Sequence, residues 1–262
     1  MFLAPKGIGT QCTKLANLCL VAGFMMATAM PAAATHDKVE SSELTPFKAD
    51  YVVTRGGSDY GHALRTLQTT KDGVYKLTMM TDISWLFLSD KRTFNSEFKL
   101  QDNKVQPLVF SYSRTGTGSD KSFAARFDHD QQRLVNQAND KAVGLEWNAS
   151  RLDEASALVQ LQRDLAQADN ANSETREWQY NVVDEKGADD TLKFRWNTKE
   201  TVELPYGTVE TIAVERVREN SSRVTNYWFA PELNYNLVRM YQAKDGDETA
   251  TLELKNYETT AE

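Results

Sequence analysis

The stretch 225-TNYWFAPELNYNLVRMYQ-242 sets aromatic rings on both sides of one Ala-Pro, and its reading decides the fold. Successive side chains of an extended segment point to opposite faces, so Tyr227 and Phe229 share one face and Trp228 takes the other. Pro231 cannot donate to a ladder and ends the strand. The polar "ELNYN" turns the chain, after which Val238 and Met240 resume the alternation. The segment predicts a hairpin with apolar residues on both sides, with Trp228 covering a helix or packing beneath a long loop.

The same period of two runs outward through the chain. Near the start Phe47, Ala49, Tyr51 and Val53 lie on one face, with Lys48, Asp50 and Thr54 on the other. "GHALRTLQTT" and "GVYKLTMMTD" follow, separated by the turn signal "KDG". Further strands are expected at "KRTFNSEFKL", "VQPLVFSYSR", "KSFAARFD" and "QRLVNQ". After one interruption they resume at "TREWQYNVVD", "DTLKFRWN", "GTVETIAVERVR", "RVTNYWFA", "NLVRMYQA" and "ETATLELKNY". The interruption, "SRLDEASALVQLQRDLAQA", carries Ala155, Leu158, Leu161 and Leu165 as a helical stripe, and Ser150 with Asp153 resembles a capping box.

Some twelve strands and one helix, alternating rather than solidly apolar, predict an all-β, mainly antiparallel fold: a curved open sheet or incomplete barrel with one wet face. Residues 46–258 read as a single β-rich domain, and the polar 167-QADNANSET-175 is the one plausible seam. A lipid-facing outer-membrane barrel would carry few charges on its outward strand positions. Dense strand charges, the helix in mid-chain and the terminal "ETTAE" argue against one.

The first 34 residues have the order of a secretory signal peptide. Lys6 and Lys14 precede an apolar run from Leu15 to Met30, Pro31 breaks it, and Ala32-Ala33-Ala34 offers a small-residue cleavage site. The run also nearly spans a bilayer, but Pro31 and the alanines favour cleavage after Ala34 over an uncleaved anchor. Residues 35–45 read as a flexible leader. Leu18, Asn17 and Ala16 before Cys19 do not make a lipobox. Cleavage removes Cys12 and Cys19, the two cysteines of the chain, and with them disulfides, thiolate metal sites and cysteine nucleophiles. It also removes Lys6 and Lys14 from 30 basic residues and no acid from 37, so the charge falls from −7 to −9. Such a chain suits neither nucleic acid nor anionic headgroups. The expected compartment is the periplasm, with no integral membrane segment after cleavage.

Motifs that suggest chemistry read as structure. "RTGTGSDKS" lacks the glycine before lysine and runs into a strand, whereas a phosphate cradle needs a helix N-terminus. Asp128-His129-Asp130 converge on a metal only in a bent loop, and "FDHDQQR" reads as a hairpin turn. His62 follows "RGGSDYG", where Asp59 and Ser58 could pair with it, without a nucleophile elbow nearby. The carboxylate pairs at 153–154 and 189–190 read as a helix N-terminus and a solvated turn. No cofactor, metal or catalytic residue is assigned.

The unusual segment is 82-DISWLFLSDKR-92. Ile83, Trp85, Leu86, Phe87 and Leu88 form an apolar clump between alternating strands, where a loop should be polar. Two readings stand: a loop folded over the open end of the sheet, plugging its own core, or a lid over an apolar ligand or partner.

"YWFAPELNYNLVRM", with Phe47, Ala49 and Tyr51, resembles the bacterial domain of unknown function 3108. The helix "RLDEASALVQLQRDL" and "LPYGTVETIAVER" add to the likeness, which spans residues 44 to 257. The family's form places a proline before valine and arginine; here Leu237 stands in that place and Val238 and Arg239 are kept. Family members are exported bacterial proteins without an established activity. A weaker resemblance, a strand ending in tryptophan, a proline turn and a strand opening with valine and arginine, runs to periplasmic lipoprotein carriers of the LolA and LolB kind. That likeness implies a curved sheet closed by helices around acyl chains. With one convincing helix the cover here is under-supplied, and "SWLFL" is expected to supply part of it.

The first expectation is therefore a non-enzymatic carrier or binding module for an apolar ligand such as a lipid or lipoprotein acyl chain. Trp85, Leu86, Phe87, Leu88 and Trp228 would contact it, and Arg239 or Arg195 would read a headgroup unless each is held in a cross-strand ion pair. The alternative is an envelope assembly or scaffold factor that binds a protein partner through a sheet edge or the apolar clump. A hydrolase with a dispersed site ranks last.

Overall fold

Alternation is drawn out into long hairpins. The first half of the chain forms β1 (Phe47–Arg55), β2 (Ser58–Thr69), β3 (Tyr75–Trp85), β4 (Leu88–Gln101), β5 (Lys104–Gly116), β6 (Lys121–Asp128), β7 (Arg133–Asn136) and β8 (Lys141–Ala142). After β9 (Leu152–Asp153) comes the helix α1 (Glu154–Asn170). The second half forms β10 (Glu177–Val183), β11 (Asp189–Leu204), β12 (Gly207–Val217), β13 (Arg223–Ala230), β14 (Asn236–Lys244) and β15 (Asp247–Thr259). The computed structural model describes residues 43–70, 72–85, 87–174 and 176–260. The expected signal peptide, the leader as far as residue 42, Leu86 and the side chain of Trp85 lie outside the described residues.

All these strands belong to one 15-stranded sheet, ordered β8-β7-β6-β5-β4-β3-β2-β1-β15-β14-β13-β12-β11-β10-β9. The first long strand pairs with the last, so β1 and β15 lie in the middle of the sheet and its edges are formed by strands from mid-chain. Every described pairing is antiparallel except that of β9 with β10. The sheet is open, and β8 and β9, two residues each, are the strands not among the segments read from the sequence. Two residues cannot display a period of two, which is why alternation does not reveal them.

The helix begins at Asp153, not at Ser150. Asp153 Oδ1 accepts from the amides of Ala155 (2.9 Å) and Ser156 (2.8 Å), and the Ser156 hydroxyl oxygen accepts from the Asp153 amide, which completes a capping box. Ser150 lies in the preceding turn, where its amide donates to Asn148 Oδ1. Of the expected stripe, Ala155, Leu161 and Leu165 are buried and Leu158 is half-buried.

Burial extends well beyond that stripe, to Ala157, Val159, Gln160, Gln162 and Ala168. A helix apolar or covered on most sides must be surrounded. One core cluster joins α1 to inward residues of both wings of the sheet, among them Tyr51, Leu77, Phe98, Phe194, Ile212, Phe229 and Leu254. The sheet thus curves around the helix. A smaller cluster, Phe110, Tyr112, Ala125, Phe127, Leu134 and Val183, fills the space under β5 to β7. The turn between β10 and β11 reaches that space: Gly187, at φ +81°, lies so close to the Phe123 ring that a Cβ would stand 2.5 Å from it.

The opening stretch now has its place. Tyr227 and Phe229 are buried among the interior rings, with centroids 5.9 Å from Tyr227 to Phe194 and 6.4 Å to Phe229. Pro231–Leu233 form a single 3-10 turn, followed by Asn234 and Tyr235 in the left-handed region. Gln162 of the helix donates to the Asn234 carbonyl (2.7 Å), so this turn also closes one end of the interior over α1.

Candidate functional site

One end of the concave face is sealed and the other is not. Along β3 the inward positions Tyr75 and Leu77 are buried, whereas Met79, Thr81 and Ile83 are half-exposed. Register carries the same change across the sheet: Met79 faces Phe94 on β4, and Met240 on β14 faces Leu252 on β15, all half-exposed. Charges line this open end. Both Arg92 and Arg114 offer their Nε and Nη2 atoms to the two oxygens of Asp90 at 2.8–3.1 Å, which holds the Asp90 carboxyl below its ordinary range. Arg216 pairs with Asp190 at 3.1 Å. Arg218 donates to Thr225 Oγ1 at 3.1 Å, and burial, with Arg216 nearby, lowers it to about 10.

Glu154, in the first turn of α1, is pushed up to about 8, first by burial and then by the neighbouring Glu185 carboxyl, with Arg216 opposing. The carboxylate pair at 153–154 is the helix N-terminus that the sequence suggests, and it is buried. Asp153 is fully buried, and burial likewise raises it against the hydrogen bonds from Ser96, Ser156 and Ala155.

Phe87 and Leu88 of the apolar clump do not fold back over the interior. Trp85 pairs with Leu88, so the strands stay in register to the tip and only residues 86 and 87 lie between them. A connection that short cannot reach back to cover the sheet. Phe87 is 97 % exposed and Leu88 54 %. Phe87 and Leu88 stand exposed at the end of this hairpin, so these two residues do not form the plug that one of the two readings expected.

Trp228 and Arg239 come together, but elsewhere. They are direct cross-strand partners, on the opposite face of their strands from buried Tyr227 and Phe229, and four strands separate β13 from β3 in the sheet. The Arg239 guanidinium lies 5.1 Å from the Trp228 ring centroid, its Nε stands 3.4 Å from Glu253, and the Trp228 indole donates to Glu200 at 2.6 Å. Trp228 thus covers neither the helix nor a long loop. Arg195 is held by Glu177 and Glu215, each at 2.8 Å. Both arginines occupy cross-strand ion pairs, as the wet-face reading expects.

His129 Nε2 lies 2.7 Å from the Pro107 carbonyl with its ring edge-on to Trp147, and His62 is exposed on β2. Neither gathers carboxylates. No group of three or more His, Cys, Asp or Glu residues suited to a metal exists among the described residues. No helix of the described residues is long and apolar enough to cross a membrane.

The residue that sequence reading missed is Arg65. It is 5 % exposed and inward-facing on β2, between Ala63 and Leu67. Its Nη1 donates to Oδ1 of fully buried Asn236 at 2.7 Å, and its guanidinium lies 5.5 Å from the Phe47 ring centroid. Tyr51 beside it donates to the Leu237 carbonyl at 2.7 Å, and burial raises its hydroxyl against the pull of Arg65. The signal was present in "HALRTL", where an arginine takes the parity of Ala63 and Leu67.

The fold and the open end define a class: a β-rich module whose single open sheet wraps one helix. The chain belongs to the family described as "Protein of unknown function (DUF3108)", which matches residues 50–255. No curated protein matches it. Among solved structures, it is similar to a beta-barrel-like protein of the domain of unknown function DUF1849 from Brucella abortus. That likeness has a TM-score of 0.57 at 10 % identity, over 84 % of this chain and 99 % of that one, and it shows the fold alone. Aeromonas veronii immune modulator A aligns at TM-score 0.22 and 8 % identity, over 79 % of this chain and 74 % of its own. MucB, solved in complex with MucA(peri), aligns at 0.18 and 10 %, over 84 % and 95 %. At those scores neither bears on what this chain does.

Proposed function

We propose that this protein is an exported, non-catalytic binding module of the periplasm, released by cleavage after Ala34, that takes an apolar group at the open end of its concave face. The observation that carries the reading is the set Met79, Ile83, Phe94, Met240 and Leu252, which point inward yet remain half-exposed. Apolar area left wet is recovered at about 25 cal/mol per Å² when a ligand covers it. The helix fills the other end, so the group held is short, such as the end of an acyl chain, rather than a whole lipid enclosed in a deep cavity.

A second reading, a protein partner held by the β3–β4 tip, draws support from the exposure of Phe87. The test is native mass spectrometry of protein exported to the periplasm and purified without detergent. The first reading expects an adduct of lipid mass that disappears in an Ile83→Asp, Leu252→Asp variant and persists in Phe87→Ser. An adduct-free wild type that also fails to take up an added fluorescent fatty acid overturns it. A photo-crosslinker at position 87 that captures one envelope protein would then favour the second.

A further inference from the structure

Arg65 is a buried cation with no ion-pair partner among the described residues, and its Nε and Nη2 atoms, like the amide nitrogen of Asn236, are buried without a hydrogen-bond partner. An uncompensated buried guanidinium costs several kcal/mol. Nη1 is already committed to Asn236 Oδ1. What remains is the Nε/Nη2 edge, the planar fork that grips a carboxylate through two parallel hydrogen bonds. The chain itself uses that edge in this way twice, where Arg92 and Arg114 each hold Asp90.

The surroundings contain more donors than acceptors. Asn236 has spent its carbonyl oxygen on Arg65 and keeps only N–H groups. Tyr51 has given its hydroxyl hydrogen to the Leu237 carbonyl, and its oxygen is a neutral acceptor on which both the Arg65 and the Asn236 side chains draw. Ala49 and Met79, the cross-strand neighbours of Arg65, offer no strong acceptor, and the Phe47 ring presents only its face. A water that accepted from the fork would bring two hydrogens that need acceptors of their own. A group that only accepts and carries negative charge meets both demands.

We propose that Arg65 and Asn236 form a buried site for a carboxylate group, with the two carboxylate oxygens on Nε and Nη2 of Arg65 and one of them shared with the Asn236 amide. This site lies deeper on the same face as the open end, with Met79 of the half-exposed set as the cross-strand neighbour of Arg65, and it rests on the buried Arg65 and Asn236 rather than on the half-exposed residues. The carboxylate belongs either to a small organic acid or to a fatty acid whose chain extends along the apolar interior.

The test is the side-chain Nε–H resonance of Arg65 in 15N-labelled protein, assigned by its loss in Arg65→Lys. Acetate and decanoate are titrated separately against sodium chloride at matched ionic strength. The expected result is a saturable downfield shift with carboxylate and none with chloride, and at least a tenfold weaker affinity by calorimetry in Arg65→Lys, which keeps the charge and loses the fork. Response to both probes identifies a small-acid site; response to decanoate alone identifies a fatty acid. A resonance unmoved through tens of millimolar of either probe, or moved equally by chloride, overturns the proposal. Loss of decanoate binding in Ile83→Asp, Leu252→Asp with acetate binding intact would separate this site from the open end.

Discussion

Replacing Asp153 by Ala removes the group that starts the helix and ties it to the sheet. Oδ1 serves the amides of Ala155 and Ser156, and Oδ2 accepts the Ser96 hydroxyl from β4 at 2.6 Å. Loss of an N-cap costs about 1 kcal/mol, up to about 2. Here Asp153, Ser156 and Ser96 are all 0 % exposed, so water cannot take over the orphaned donors. Each buried donor left unpaired adds about 1–3 kcal/mol, and the Ser96 hydroxyl is one such donor even if the first turn frays to free the amides. The sum is about 2–5 kcal/mol. For a domain of this size each kcal/mol moves Tm by about 2–4 °C, so the midpoint falls by roughly 4–20 °C. Circular dichroism melts and urea titration of Asp153→Ala measure this. Asp153→Asn, which keeps an acceptor for the amides and can meet the rotatable Ser96 hydroxyl, should recover more than half of the loss. A loss in Asp153→Ala below about 1 kcal/mol would refute the reasoning, because it falls beneath the cost of a single orphaned buried donor.

The Glu154 carboxyl, raised from 4.5 to about 8, holds a proton in the folded chain that the unfolded chain releases. Its contribution to stability is therefore complete below about pH 4.5, declines as pH rises by up to about 1.4 kcal/mol per unit, and is lost above about pH 8. Glu154→Gln should cancel that decline, so that it gains on the wild type between pH 5 and pH 9 in urea titrations; parallel pH profiles would sink the assignment. Gly187→Ala must displace the Phe123 ring from 2.5 Å and hold a side chain at φ +81°, which should cost about 1–3 kcal/mol. An unchanged urea midpoint would show that the β10–β11 turn does not rest on that ring. Phe87→Ser, at a tip 97 % exposed, should shift stability by no more than about 0.5 kcal/mol. A larger loss would mean that Phe87 is covered in solution.

Much of the fold was legible because strand formation is a local matter of alternation and turn chemistry. Phe47 to Val53, the "KDG" turn and the Pro231 break are each decided within a few residues, and the helix period at Ala155, Leu161 and Leu165 within one segment. Arg65 was missed although it takes the parity of Ala63 and Leu67, a local signal that marks a buried position. What it met there depended on Asn236, which lies 171 residues further along the chain.

The remaining features were decided by tertiary structure. That β1 lies beside β15, so that the edges fall to the two-residue strands β8 and β9, depends on which hydrogen-bonding rows meet, and alternation treats all partners alike. The helix reads from sequence as a one-sided stripe, yet the curved sheet surrounds it, because curvature accumulates over many strand pairs. "SWLFL" was visible as apolar, but whether it plugged the core or stood in water turned on the pairing of Trp85 with Leu88, one hairpin register. Glu154 became a raised carboxyl only when folding buried it against Glu185. Sequence by itself determined which residues form strands, turns and helix, because those preferences act over a few bonds. Burial, partners and charge state came from the sheet closing around the helix, because they act across space between residues that the chain keeps far apart.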